Sequence, residues 1–169
     1  MLIKKILILN GAGRKNGKTS EMIRAFSKEA GKHHEIAELF LQDLHIAGCI
    51  NCQGCGFKEK DSEYPCVQND DMNQVYKAFR KADVIVFASP VYWWDITGTL
   101  KTAVDRLYAL VRNSSVSMRK ETVLLMTSGG STIDHAANWY SGFEAWLGWK
   151  NLGMAMNSTE EAARIGASV

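Results

Sequence analysis

Residues Asn10–Thr19 read NGAGRKNGKT, three glycines interleaved with Arg14, Lys15 and Lys18 and followed by a second hydroxyl, Ser20. The segment leaves an apolar run and opens a stretch with helical spacing. Free N–H groups and the macrodipole at a helix start favour an anion, and the cations add to that, so the segment is a candidate phosphate site. Three kinds of phosphate site come close to it. A P-loop would occupy Ala12–Thr19, with Ala12 where the strict pattern has glycine. It would also need a carboxylate near its magnesium, ordinarily an Asp closing another buried strand. The later apolar runs close in Ala88-Ser89-Pro90 and Thr127-Ser128-Gly129, and Asp83 stands at the opposite end of its run. A dinucleotide fingerprint would use Gly11, Gly13 and Gly17, one residue too widely spaced, with Glu35 or Glu38 as the ribose-binding acid. A flavodoxin-type loop would hold the single terminal phosphate of FMN without a metal.

Two further segments carry residues that a plain connector does not need. Ser89–Ile96 reads SPVYWWDI. Adjacent side chains do not both point inward, so one Trp is expected on the core and the other against a flat ring or a second subunit, aromatic faces being good stacking surfaces. Thr127-Ser128-Gly129-Gly130 offers hydroxyls and a backbone that a ring edge can approach closely. The four cysteines fall between positions 49 and 66. Cys49, Cys52 and Cys55 have the C-x2-C-x2-C spacing of cluster proteins, and Cys66 follows after ten intervening residues. A [4Fe–4S] cluster, a zinc ion on four thiolates and reduced thiols without metal all fit this spacing. We assign no metal ligand from sequence and keep Cys49, Cys52, Cys55 and Cys66 as the alternative cluster set.

The elements that would position these segments alternate. Ile3–Leu9, Glu35–Leu41, Val84–Ala88, Thr122–Thr127 and Leu152–Met156 read as strands. The first, third and fourth are nearly continuous apolar runs, the signature of strands buried on both faces. Thr19–Gly31, Asp70–Ala82, Thr97–Val111, Ser131–Leu147 (opening on a capping-box-like Ser131-x-x-Asp134) and Glu160–Ile165 read as helices. Alternation of this kind predicts a parallel sheet covered on both faces, with ligands beyond the carboxyl ends of the strands. All three loops lie there. The chain of 169 residues suits one domain, 1–169. Twenty basic against 18 acidic residues leave a net charge of +2, without the basic stripe of a nucleic-acid binder. No run reaches the ~18 apolar residues of a membrane span, and the short apolar start is not a signal h-region. These features predict a cytoplasmic protein with neither nucleic acid nor membrane as partner.

The quoted blocks GAGRKNGKTS (11–20), the cysteine motif with CVQNDDM (49–72), SPVYWWDITGTLKTAVDR (89–106) and TSGG (127–130) carry a resemblance. The chain resembles the flavodoxin-like NADPH-dependent FMN reductase family, and within it the iron–sulfur flavoprotein branch. The resemblance implies a three-layer α/β sandwich with a five-stranded parallel sheet in the order 2-1-3-4-5. It implies noncovalent FMN, NAD(P)H as hydride donor, and a small-molecule or protein acceptor such as a flavin or quinone. Carried over by position, Arg14, Asn16, Gly17, Lys18 and Thr19 bind the phosphate region. Pro90, Val91, Tyr92, Trp93 and Ile96 bound the isoalloxazine, and Ser128, Gly129 and Gly130 approach its other side. No side chain is assigned a catalytic role, because the cofactor does the chemistry. A homodimer or larger homo-oligomer is also implied. Two positions depart from the family: Ala12-Gly13 stand where Ser-Pro is usual, and Lys18 where a neutral polar residue is common. The gap to Cys66 is longer than in the iron–sulfur branch. A non-enzymatic flavodoxin-type or iron–sulfur electron carrier, and more remotely a P-loop nucleotide-binding protein, are the alternatives.

Overall fold

The apolar runs become the middle of a sheet because each alternates its side chains between two apolar layers. In a computed structural model describing residues 2–114, 118–130 and 134–169, five parallel strands take the order β2-β1-β3-β4-β5. They are β1 (Lys5–Asn10), β2 (Glu35–Phe40), β3 (Val84–Pro90), β4 (Glu121–Thr127) and β5 (Lys150–Met156). Ile6, Ile8, Val84, Val86, Val123 and Leu125 face one layer, built by α1 (Lys18–Ala30) and α5 (Thr159–Ser168). Leu7, Leu9, Ile85, Phe87, Leu124 and Met126 face the other, built by α2 (Met72–Lys81), α3 (Gly98–Asn113) and α4 (Asp134–Leu147). The predicted fold class and strand order are those observed. The capping box at Ser131 lies outside the described residues. No described helix is long and apolar enough to cross a membrane.

The register aligns the functional ends. Asn10 of β1 pairs with Ala88 of β3, and Pro90 of β3 with Thr127 of β4, so the three loops leave the same edge side by side. Hydrogen bonds then join them. The Gly11 N–H donates to the Ala88 carbonyl at 2.8 Å, and the Thr97 hydroxyl donates to the Gly11 carbonyl at 2.7 Å. The Val91 N–H donates to the Thr127 carbonyl at 2.7 Å. Gly11 is required by this junction: a Cβ there would come within 2.7 Å of Leu100 Cβ and 2.8 Å of the Thr97 hydroxyl. Overpacking of this order costs about 1–3 kcal/mol. We therefore expect Gly11→Ala to lower the urea midpoint by an amount equivalent to about 2 kcal/mol. An unchanged midpoint would show that the junction relaxes freely.

Candidate functional site

The first loop is shaped by its own side chains. Asn10, buried at the end of β1, accepts from the Ala12 N–H at 2.9 Å and donates to Glu38 at 2.7 Å. Glu38 is thus engaged in holding the loop, not free for a ribose. Gly17 precedes α1 in extended backbone and supplies no side-chain cap, whereas α3 is capped by Thr97 and α5 by Ser158. The N–H groups of the first turn of α1 therefore remain open to a ligand, with the helix dipole behind them. Arg14 and Lys18 stand beside that turn. Lys15 turns away into an ion pair with Asp43.

These groups line a cleft of about 510 Å³ with walls from all three loops: Ala12 to Arg14 and Gly17 to Thr19, then Pro90 to Tyr92, then Thr127 to Gly129. Among the described residues two cations and no carboxylate line it, so none of these supplies the P-loop's magnesium ligand. The third loop is braced from below: the Ser128 N–H donates to Asn157 at 2.8 Å, and the Thr19 and Thr127 hydroxyls pair at 2.7 Å. More apolar hollows of about 470 and 220 Å³ lie elsewhere, between β2 and α2 and between α3 and α4. The cleft sits at the carboxyl ends of β1, β3 and β4; a neighbouring hollow at the ends of β1 and β2 holds Lys15 and Arg24 but also the carboxylates Glu38 and Asp43.

Nine of the residues assigned from sequence line the cleft: Arg14, Gly17, Lys18, Thr19, Pro90, Val91, Tyr92, Ser128 and Gly129. Asn16 is exposed beside it, and Gly130 follows it, with its N–H donating to the Ser128 hydroxyl at 3.1 Å. Ile96 is in the apolar core rather than in the wall. Trp93 stands clear of the cleft, next to Tyr92. The expectation that one indole packs on the core is not met, since Trp93 is 87% and Trp94 55% exposed. They are the two central residues of a tight turn closed by Tyr92 and Asp95, whose N–H groups and carbonyls exchange bonds of 2.9 and 3.1 Å. Sequence reasoning missed Thr127 as a wall residue. Its place directly before the predicted Ser128 was the available signal.

The four cysteines are free thiols. They line one small hollow of about 50 Å³ against Asp105, Arg106, Tyr108 and Ala109 of α3. Among the described residues no three His, Cys, Asp or Glu side chains converge on a point that could hold one metal ion, so the arrangement does not fit zinc, whose thiolates surround a single ion.

The profile of the family described as NADPH-dependent FMN reductase matches residues 4–156. The chain belongs to this family. An iron–sulfur flavoprotein of Archaeoglobus fulgidus is 33% identical over 98 residues, covering 57% of this chain and 42% of that protein. One from Methanosarcina thermophila is 31% identical over 129 residues, covering 75% and 64%. The matches thus span 42% and 64% of these two relatives' length, less than two thirds of either. Among solved structures, RosB with bound 8-demethyl-8-formylriboflavin-5'-phosphate superposes with a TM-score of 0.78 at 16% identity, covering 98% of this chain and 75% of that one. The fold of this FMN reductase family member is therefore shared well beyond its sequence relatives.

Proposed function

We propose that the chain binds FMN in the three-loop cleft and acts as an NAD(P)H-dependent oxidoreductase toward a small-molecule acceptor. The carrying observation is the uncapped start of α1, with Arg14 and Lys18 beside it, opening into a carboxylate-free cleft at the ends of β1, β3 and β4. FMN, when bound, supplies hydride acceptance and electron transfer. The chain's part is binding and orientation. The first-turn N–H groups, Arg14, Lys18 and Thr19 would hold the phosphate. Pro90, Val91 and Tyr92 would bound the ring on one side, and Ser128 and Gly129 on the other. With no carboxylate among the described lining residues, an anionic group held in the cleft would meet no like charge from them.

The test is NADPH oxidation by protein with FMN, followed at the nicotinamide band. A rate above the free-FMN control supports the reductase reading. No excess rate with FMN still bound would leave the electron-carrier alternative. For the phosphate loop, Arg14→Ala and Thr19→Ala are each expected to weaken FMN by about 1–2 kcal/mol, the scale of a lost hydrogen bond to a charged group. Flavin-fluorescence titration measures this, and unchanged affinity in both variants would remove the loop from the site.

A second reading concerns the cysteines. It is that Cys49, Cys52, Cys55 and Cys66 hold a [4Fe–4S] cluster; the relatives from Archaeoglobus fulgidus and Methanosarcina thermophila are iron–sulfur flavoproteins. Its support is the frame around the hollow. Buried Arg106 donates to the Ala47 carbonyl at 2.7 Å and to both Asp70 oxygens at 2.9 and 3.1 Å, clipping the two ends of the cysteine segment to α3. Buried Asn113 donates to the Lys58 and Glu59 carbonyls at 3.1 and 2.6 Å and accepts from the Ser62 N–H at 3.0 Å, clipping its middle. Each cysteine arm is thus tied at both ends to one helix. Anaerobic addition of iron and sulfide, followed by iron analysis and visible absorption, tests this reading.

A further inference from the structure

Thr127 ties all three loops of the cleft together. Its carbonyl accepts from the Val91 N–H of the second loop at 2.7 Å, and its hydroxyl pairs at 2.7 Å with that of Thr19, in the first turn of α1. It also opens the third loop, whose Ser128 N–H is held by Asn157 at 2.8 Å. The two hydroxyls are buried, Thr19 being 4% and Thr127 6% exposed, and both residues line the cleft. A hydroxyl brings one proton and two lone pairs, and the bond between the pair uses one of the two protons. Among the described residues neither hydroxyl has another partner, so the second proton is left over. A buried donor without an acceptor is costly. Either oxygen can donate within the pair, so the spare proton can sit on Thr19 or on Thr127.

We infer that Thr127 is a positioning residue for the cofactor phosphate, acting through Thr19. This rests on the FMN site proposed above, in which Thr19 helps to hold the phosphate. The direction of the pair follows from charge. Hydrogen bonds to an ionised oxygen are stronger than those to a neutral one, and Thr19 stands at the uncapped start of α1, in the wall that Arg14 and Lys18 share. The spare proton therefore belongs on Thr19, donated to the phosphate, with Thr127 donating into Thr19 behind it. Hydrogen bonds in such a chain polarise one another, so the rear bond strengthens the front one. Thr127 also fixes a rotamer. A threonine hydroxyl in a helix otherwise turns back to a preceding carbonyl, and the bond to Thr127 holds Thr19 out of that position.

The experiment titrates the full chain with FMN and, separately, with riboflavin, which has the same ring and no phosphate. Binding is read by flavin fluorescence and folding by the urea midpoint, in wild type, Thr127→Val, Thr127→Ser, Thr19→Val and the double valine variant. Thr127→Val is expected to weaken FMN about three- to tenfold, the equivalent of one hydrogen bond, and to leave riboflavin affinity unchanged. Thr127→Ser, which keeps the hydroxyl, is expected to restore FMN affinity. In the Thr19→Val background, Thr127→Val is expected to cost nothing further, because residues that act through one another do not add. Unchanged FMN affinity in Thr127→Val, an equal loss of both flavins, or the same loss with Thr19 already replaced would overturn the inference. Where Thr127→Val does not fold, the wild type decides. Its Thr19 hydroxyl proton is expected to show a scalar coupling to the phosphorus of bound FMN, and its Thr127 hydroxyl proton none; the reverse, or no coupling from either, would overturn the inference. Equal affinity of wild type for the two flavins would overturn it while leaving the ring site standing. Failure of wild type to bind FMN would overturn the proposed site and this inference with it.

Discussion

Asp70→Ala is expected to destabilise the FMN-free protein by about 3–5 kcal/mol, the loss found when one partner of a buried ion pair is removed. The reason lies in what the substitution leaves behind. Arg106 would keep its charge at a site where its side chain is 1% exposed, holding only the Ala47 carbonyl. Burial opposes charge on Arg106, yet the hydrogen bonds it donates to Asp70 hold its pKa above the ordinary arginine value. For Asp70 burial likewise works against the charge, but Arg106 and the Ala47 and Met72 N–H groups outweigh it and hold the carboxyl below its ordinary range. The sign of the pH dependence follows. A carboxyl depressed in the folded state contributes its stability in full above the unfolded pKa, about 4, and loses it as the pH falls through the folded value. Urea melts of wild type and variant should therefore differ most near neutrality and converge in acid. A constant gap across that range would mean that the loss is packing and not charge. Release of Ala47 and position 70 should also speed modification of the half-buried Cys55 and Cys66 by a thiol reagent.

That clip was invisible in the sequence for a physical reason. A single arginine in an amphipathic helix reads as solvent-facing, and only the carboxylate 36 positions earlier explains its burial. The same holds for Asn113, whose partners are loop carbonyls of another segment. What was legible was local. Continuous apolar runs named β1, β3 and β4 and the loops at their ends, and the strand order followed from the resemblance those loops carry. The start of β5 was not legible, because Lys150 and Asn151 open it on an edge and a register break between Thr122 and Val123 interrupts its pairing. The family resemblance places Ile96 on the flavin side, but in this chain the turn before it reverses the backbone and Ile96 packs in the core.

That turn carries the other large expected effect. Replacing Trp93-Trp94 with Asn-Gly is expected to raise stability and lower turnover together. Both residues have positive φ, +50° and +66°, the pattern of a type I′ turn, which strongly prefers Asn-Gly. For residues with a Cβ, left-handed backbone costs roughly 1–2 kcal/mol each, so relief at both positions should stabilise the chain by about 2–3 kcal/mol. Two indoles 87% and 55% exposed recover little of that cost by burial in this chain. They contact each other at 5.8 Å between ring centroids, and Tyr92 beside them lines the cleft. Strain of this kind persists where the surrounding structure over-determines it and collects at ligand clamps. Under the proposed function, the two indoles, tilted 52° to each other, present apolar ring faces at the mouth of the flavin site. Aromatic contacts contribute about 0.5–1.5 kcal/mol each beyond area. Losing two should lower kcat/KM for NAD(P)H or acceptor by about tenfold or more. FMN affinity, set by the loop after β1, should change little. A variant that is more stable and equally active would mean that the turn serves neither co-substrate, and would leave its strain without a role in turnover.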